Sequence, residues 1–272
     1  MSIEVIQLTP NIAAEIKGID LRVFEKFQID QIRKAFLEHG VIVFRDQFLS
    51  PEQHVNFAKS MGDVMVYGGY KPFDDLPTGM FRFANDGKEK TITEHWHFDG
   101  TYYDMPPAAG ILAPQKIPAI GGDTMWSNQY VTYERLSDGM KKLLSGLWTE
   151  CVSHRSSRKY NNELMSATQP AIRKHPETGR LSLNIGHPET CVQFVGMTEE
   201  ESQPLIRHLH AQTHEPDNVY RHQWRLGDVV LWDNRCTMHY AIHDYGMAER
   251  EMYRMTILGD RPRGPLGQQP AE

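Results

Sequence analysis

Residues 228–240 read Asp228-Val229-Val230-Leu231-Trp232-Asp233-Asn234-Arg235-Cys236-Thr237-Met238-His239-Tyr240. An apolar run closes into a polar turn, and a histidine emerges just past it. The run predicts a buried strand over Asp228–Trp232. Runs of the same kind, bounded by Gly, Pro or Asp, occur at Val41–Phe44, Gly110–Ala113, Thr124–Trp126, Leu181–Ile185 and Tyr253–Leu258. Most are too short for helices and too irregularly spaced for alternating βαβ units. Many strands without interleaved helices predict a mainly β fold with flanking helices, an antiparallel sandwich or jelly roll whose mouth is a usual place for a small-molecule or metal site.

The flanking helices have their own signals. Ile29, Ile32, Ala35 and Phe36 recur at helical spacing before Gly40. Ser50 with Pro51 and Gln53 forms a capping box ahead of Val55, Phe57, Ala58 and Met61, and Thr198 with Glu201 repeats it ahead of Leu205, Ile206 and Leu209. Pro204 is expected to kink or shorten that last helix. A further helix is expected over Asp138–Leu147.

The chain has 272 residues, 40% hydrophobic and 24% charged, which suits one globular domain large enough to need no disulfide or structural metal. We expect that domain to span residues 1–262, followed by a flexible C-terminal tail over 263–272, where Pro and Gly cluster. A net charge of −6 disfavours nucleic acid or an anionic membrane as the main partner. No apolar run is long enough for a membrane span, and the start MSIEVIQLTP lacks the features of a signal peptide, so a cytoplasmic protein is expected. Cys151, Cys191 and Cys236 are an odd set with no C-x-x-C pair, which disfavours a disulfide framework and a cysteine zinc site. Thirteen histidines are the unusual feature.

In Glu94-His95-Trp96-His97-Phe98-Asp99, period-two alternation puts His95, His97 and Asp99 on one face, with Trp96 and Phe98 on the opposite, packed one. With a distant third ligand, His97 and Asp99 would form a 2-His-1-carboxylate triad, which leaves coordination positions open for substrate and dioxygen on Fe(II). The His-x-acid spacing recurs at His175/Glu177 and His187/Glu189, and chance alone supplies about 1.7 such pairs. The other two carry a central proline and read as turns. On the residues alone, the stretch around His239 reads first as a strand followed by a satisfied core histidine. Arg250, Met252 and Arg254 share one face of the last strand, either turned to solvent or turned inward toward anions.

In order and spacing, these pieces resemble the taurine dioxygenase-like (TauD/TfdA) family of Fe(II)/2-oxoglutarate-dependent dioxygenases. The resemblance runs from about Ile6 to Pro262. It rests on His39 through Gln47, the Ser50-Pro51 helix start, Trp96-His97-x-Asp99, Pro106-Pro107, Gly121-Gly122-Asp123-Thr124, Trp232-Asp-Asn-Arg235-x3-His239, Arg250-x3-Arg254 and Ile257 through Pro262. It implies a double-stranded β-helix. It also implies that His97, Asp99 and His239 bind Fe(II), that Arg250 and Thr124 hold the far carboxylate of 2-oxoglutarate, and that Arg254 meets the anionic end of the primary substrate. O2 is the oxidant, and succinate and CO2 are released. The carboxylate ligand argues against halogenation.

Departures from the taurine-specific pattern concern the pocket. Tyr67 stands where those members carry histidine, Tyr102 and Tyr103 follow the His97/Asp99 pair, and His95 is a pocket candidate. Lys159, with Arg155 and Arg158, offers a second anion contact. Together they suit a small anionic substrate: an alkylsulfonate, an aryloxyalkanoate or an N-carboxymethyl amino acid. The sequence leaves self-association as a homo-oligomer open. The rival reading is an inactive cupin-like metal-binding protein, which would have no need of the Arg250/Thr124 clamp.

Overall fold

The computed structural model describes residues 3–66, 73–85, 95–153 and 165–268. In chain order the elements are β1 Glu4–Gln7, β2 Ala14–Lys17, α1 Lys26–His39, β3 Val41–Phe44, α2 Pro51–Met61, β4 Phe81–Asn85, β5 Ala109–Lys116, β6 Thr124–Asn128, α3 Gln129–Arg135, α4 Asp138–Leu144, β7 Trp148–Val152 and β8 Ser166–Pro170. They continue with β9 Ile172–Lys174, β10 Leu181–Leu183, β11 Cys191–Phe194, α5 Glu199–Ala211, β12 Val219–His222, β13 Val229–Asp233, β14 Thr237–Ala241 and β15 Arg250–Ile257.

A seven-stranded sheet, ordered β1-β2-β3-β13-β5-β15-β4, forms the larger wall, and the three-stranded sheet β12-β6-β14 faces it. All strand pairs are antiparallel except β2 with β3. This is the jelly roll expected from the scattered short strands.

The central strands of the large sheet are buried on both faces. On its outer face Ile42, Phe44, Ile111, Leu231 and Met255 pack under α1 and α2, which contribute Ile29, Ile32, Phe36, Phe57 and Ala58. On its inner face Val41, Val43, Val230, Trp232 and Met252 meet Trp126, Tyr220 and Trp224 from the opposing wall. This explains why the last strand has no exposed face: Met252 belongs to the inner core, and Met255 to the outer. Arg250 and Arg254 alternate with Met252 and therefore flank the inner face. A third core lies under α5 and the sheet β11-β7-β8, around Cys151, Cys191, Phe194, Ile206 and Leu209.

Helix ends follow the expected chemistry. Ser50 Oγ accepts from Gln53 N at 3.3 Å while Gln53 returns a carboxamide oxygen to Ser50 N at 2.9 Å. Gly40 closes α1 in the left-handed region, donating its N–H to Phe36 O. Two expectations are corrected. Pro204 does not shorten α5, which runs on to Ala211. The only carbonyl it deprives of a donor is that of Glu200, which is exposed to water. The helix from Asp138 ends at Leu144, and Trp148 already begins β7. Past Pro262, Lys174 N donates to Arg263 O at 2.9 Å, Gly264 N to Gln268 O at 3.0 Å, and Gln268 Nε2 to Ser145 O at 3.0 Å.

Candidate metal centre

His97 and His239 form an isolated antiparallel bridge, each donating its N–H to the other's carbonyl, at 3.0 and 2.9 Å. The bridge sets their rings side by side, with centroids 4.2 Å apart. Trp96 and Phe98 turn the other way into a small core with Met238, as the alternation predicts. Asp99 follows in a turn, and its Oδ1 lies 3.9 Å from His97 Nε2 and 3.7 Å from His239 Nε2. The ligand atoms of these three residues lie within 4.8 Å of one another, and no other such group of His, Cys, Asp or Glu occurs among the described residues.

Burial and neighbouring charges hold the three donors in their ligating charge states. His97 Nδ1 sits 2.7 Å from the His95 carbonyl, so that nitrogen carries the proton and Nε2 is left bare. Burial pushes the His97 ring below the ordinary histidine range; Arg254 adds to this, while Asp99 and the His95 carbonyl oppose it. His239 lies further below, first through burial, then through His97 and Arg254. Burial alone would raise Asp99, but Arg254, His239 and His97 outweigh it and hold the carboxyl below its usual range. Two neutral imidazoles and one carboxylate, all half-buried or buried, fit a divalent cation such as Fe(II).

The surroundings fix this geometry. The Asn234 side chain clamps the Asp99 backbone: its oxygen accepts from Asp99 N at 2.8 Å, and its nitrogen donates to the Asp99 and Pro107 carbonyls. The turn that delivers His239 is locked by Asp233, which pairs with Arg235 at 2.7 Å and with His175 at 3.0 Å. Arg235 in turn reaches Glu177, and Glu177 reaches Arg33. The Trp232 ring lies 5.1 Å from the His239 ring and 5.1 Å from the Arg254 guanidinium, forming a shared floor.

Arg250 stands at the end of β15 where it pairs with Asn85 of β4. Its Nε donates to Gly122 O at 3.1 Å. Among the described residues no carboxylate forms an ion pair with it, and burial lowers its guanidinium from the ordinary arginine value. A largely buried cation without an anion is a costly arrangement unless a ligand supplies one. Gly121 and Gly122 both have positive φ, and a Cβ on Gly122 would stand 3.2 Å from Arg250 Cδ, so glycine here lets the strand approach the arginine. Thr124, two residues on, is buried, and its hydroxyl oxygen accepts from Trp224 Nε1 at 3.0 Å. That contact occupies a lone pair and leaves the hydroxyl proton available to donate.

The structure thus brings together His97, Asp99, His239 and Arg254, and places Arg250 and Thr124 about the Gly121–Gly122 turn. His95 is not among the converging donors: its carbonyl orients His97, while its ring packs 4.5 Å from His187. Tyr102 and Tyr103 lie against each other, ring centroids 4.7 Å apart, in the loop after Asp99. Tyr67 and Lys159, with Arg155 and Arg158, lie outside the described residues. His175/Glu177 and His187/Glu189 sit at turns, as their prolines predict. Asn234, Trp224 and the Asp233 network were missed as positioning residues. Asn234 and Asp233 stand inside the quoted turn, whereas Trp224 carries no local signal.

Comparison with known proteins agrees with this geometry. The family model for taurine catabolism dioxygenase TauD, TfdA matches residues 4–256. An alkylsulfatase of Acinetobacter baylyi is 32% identical, over 96% of this chain and 86% of its own length. An alpha-ketoglutarate-dependent sulfate ester dioxygenase of Pseudomonas putida is 29% identical, over 98% and 93%. A solved taurine dioxygenase from Burkholderia xenovorans superposes with a TM-score of 0.87 at 34% identity, covering 99% of this chain and 95% of that one. The chain belongs to the TauD/TfdA family of dioxygenases.

Proposed function

We propose that the chain is an Fe(II)- and 2-oxoglutarate-dependent dioxygenase that oxidises a C–H bond of a small organic anion, as a cytoplasmic enzyme of one catalytic domain. His97, Asp99 and His239 are its metal ligands, and Arg250 with Thr124 its 2-oxoglutarate clamp. The observation that carries the reading is the pairing of a converged His-Asp-His set with a second feature: a buried arginine, Arg250, that has no ion-pair partner among the described residues.

When bound, Fe(II), 2-oxoglutarate and O2 supply the oxidising power, the keto-diacid leaving as succinate and CO2 as the substrate is oxidised. The protein's share is geometry and electrostatics. Arg250 offers its outer nitrogens to the far carboxylate, and Thr124 donates its hydroxyl proton beside it. Nε2 of His97, Nε2 of His239 and Oδ1 of Asp99 would hold the metal ion, and a three-residue set of this kind suits Fe(II) oxygen chemistry. Trp232 and Met252 form an apolar floor that excludes water.

Arg254 supplies positive charge at the same mouth, which suits an anionic substrate head. The relatives named for sulfate esters make that class the first to test. Oxidation at the carbon bearing the ester oxygen would release sulfate and an aldehyde. The experiment is succinate release under air with Fe(II) and 2-oxoglutarate, across alkyl sulfates, sulfonates, aryloxy acids and N-carboxymethyl amino acids. Release above the substrate-free rate with one of these classes supports the reading. No succinate with any anion, and no visible charge-transfer band on anaerobic addition of Fe(II) and 2-oxoglutarate, would overturn it.

A further inference from the structure

Cys151 on β7 and Cys191 on β11 are directly opposed in an antiparallel register. Val152 N donates to Thr190 O at 2.8 Å, which makes Val152/Thr190 a hydrogen-bonded pair. The next pair along, Cys151/Cys191, is therefore non-hydrogen-bonded, and Cys191 N donates instead to His187 O at 2.7 Å. Such pairs bring their Cα atoms to about 4.5 Å, within the span of a disulfide. Both side chains point into the same core, with Ile172, Leu183 and Leu209. Both cysteines are free thiols.

We propose that Cys151 and Cys191 are a reversible redox pair, converted by a peroxide into a cross-strand disulfide. The influence of the neighbouring Cys191 thiol lowers the Cys151 thiol, whereas Cys151 and burial raise that of Cys191. The Thr149 hydroxyl lies 3.6 Å from Cys151 Sγ. The Cys151 thiolate attacks the peroxide O–O bond, forming a sulfenic acid and releasing hydroxide. The Cys191 sulfur then displaces the sulfenic hydroxyl, closing the S–S bond as its proton leaves with that hydroxyl as water. The pair loses two electrons, and one hydrogen peroxide becomes two waters. Burial selects a small oxidant.

The pair sits where a crosslink would reach the metal centre's rim. Gln169, opposite Thr149 on β8, donates to the carbonyls of Thr101 and Tyr103 in the loop after Asp99. The turn before Cys191 presents His187 to the ring of His95. The disulfide joins the two strands that support these contacts. Cys236 lies apart, beside Asp233, and serves as the internal control.

The test treats the full chain with hydrogen peroxide in the presence of a chelator, so that adventitious iron makes no radicals. Thiols counted after denaturation should fall from the three cysteines of the sequence to one, and dithiothreitol should restore them. The mass should drop by about 2 Da for the two hydrogens lost. A tryptic digest should hold one linked species joining Leu143–Arg155 to Leu181–Arg207. The oxidised form should melt about 5 °C or more higher, since the crosslink closes a long loop. In Cys191→Ala the sulfenic acid on Cys151 should persist and be trapped by dimedone. Should that variant fail to fold, the wild-type peptide map decides alone. Three surviving thiols, oxygen added to either cysteine without a linked peptide, or a link to Cys236 would each overturn the proposal.

Discussion

Arg254 holds Asp99 by both oxygens, with Nη2 2.5 Å from Oδ2 and Nη1 3.2 Å from Oδ1. Oδ1 is also the oxygen nearest both imidazole nitrogens. The fork therefore fixes the carboxylate's rotation and keeps it ionised, so Arg254 positions Asp99, the proposed carboxylate ligand. Arg254→Ala should weaken Mn(II) binding by about 10- to 100-fold, the usual effect of removing a partner that orients a metal ligand. Arg254→Lys should recover only part, because an ammonium lacks the planar fork. Titration calorimetry with Mn(II) reads both, and an unchanged Kd in Arg254→Ala would leave the arginine to the substrate alone.

Arg250 and Trp224 bear on the co-substrate. Removing the cation in Arg250→Ala should cost 2-oxoglutarate about 100-fold or more in affinity, as expected for a desolvated charge pair. Mn(II) binding should stay close to wild type, because Arg250 touches none of the three donors. Trp224→Phe removes one indole N–H and frees the Thr124 hydroxyl to turn, a loss of about 1 kcal/mol, or roughly fivefold in 2-oxoglutarate affinity. Calorimetry on the Mn(II)-loaded protein separates the two ligands. Parallel loss of metal and co-substrate in Arg250→Ala would mean that the arginine supports the fold instead.

What the sequence revealed depended on whether local pattern carried the information. Capping boxes at Ser50 and Thr198 and the glycine after His39 are short-range signals, and those helix boundaries were legible. Helix α3 was not, because its buried face is Gln129, Tyr130 and Thr132, a mostly polar stripe with no apolar period. Residues of β14 and β12 are too mixed to read as strands alone, yet β14 carries His239. The alternation of Trp96, His97, Phe98 and Asp99 gave the correct faces. The facing of Arg250 and Arg254 could not be read, since both faces of β15 are buried and neither choice violates amphipathicity. The Arg254–Asp99 fork joins residues 155 positions apart and leaves no local trace.

Gly110 allows the floor of the centre to exist. On β5 it is paired with Trp232 of β13, and a Cβ built there would stand 2.2 Å from Trp232 Cζ2. A rigid indole between His239 and Arg254 cannot yield without moving one of them. Gly110→Ala should destabilise the protein by about 1–3 kcal/mol through overpacking. It should also weaken Mn(II) binding. Urea unfolding with the calorimetric Kd tests both, and a variant that is destabilised but binds metal normally would show that the ring can shift without disturbing His239.

His54 makes stability depend on pH from outside the metal centre. It is buried in α2, its Nε2 has no hydrogen-bond partner among the described residues, and burial lowers its pKa to about 4 despite the opposing Ile111 backbone. Between about pH 4 and the ordinary value near 6.5 the unfolded chain takes up a proton here that the native state refuses. Stability is therefore undiminished by this residue above 6.5, falls as the pH drops through that window, and levels off below 4. The loss at pH 5 relative to pH 7 comes to about 2 kcal/mol from this residue. His54→Leu should remove that increment, so its urea-unfolding free energy should decline less between pH 7 and 5 than the wild type's by about the same amount. Equal declines would show that the imidazole is solvated in the native state, and that the packing of α2 against the outer face of the large sheet opens there.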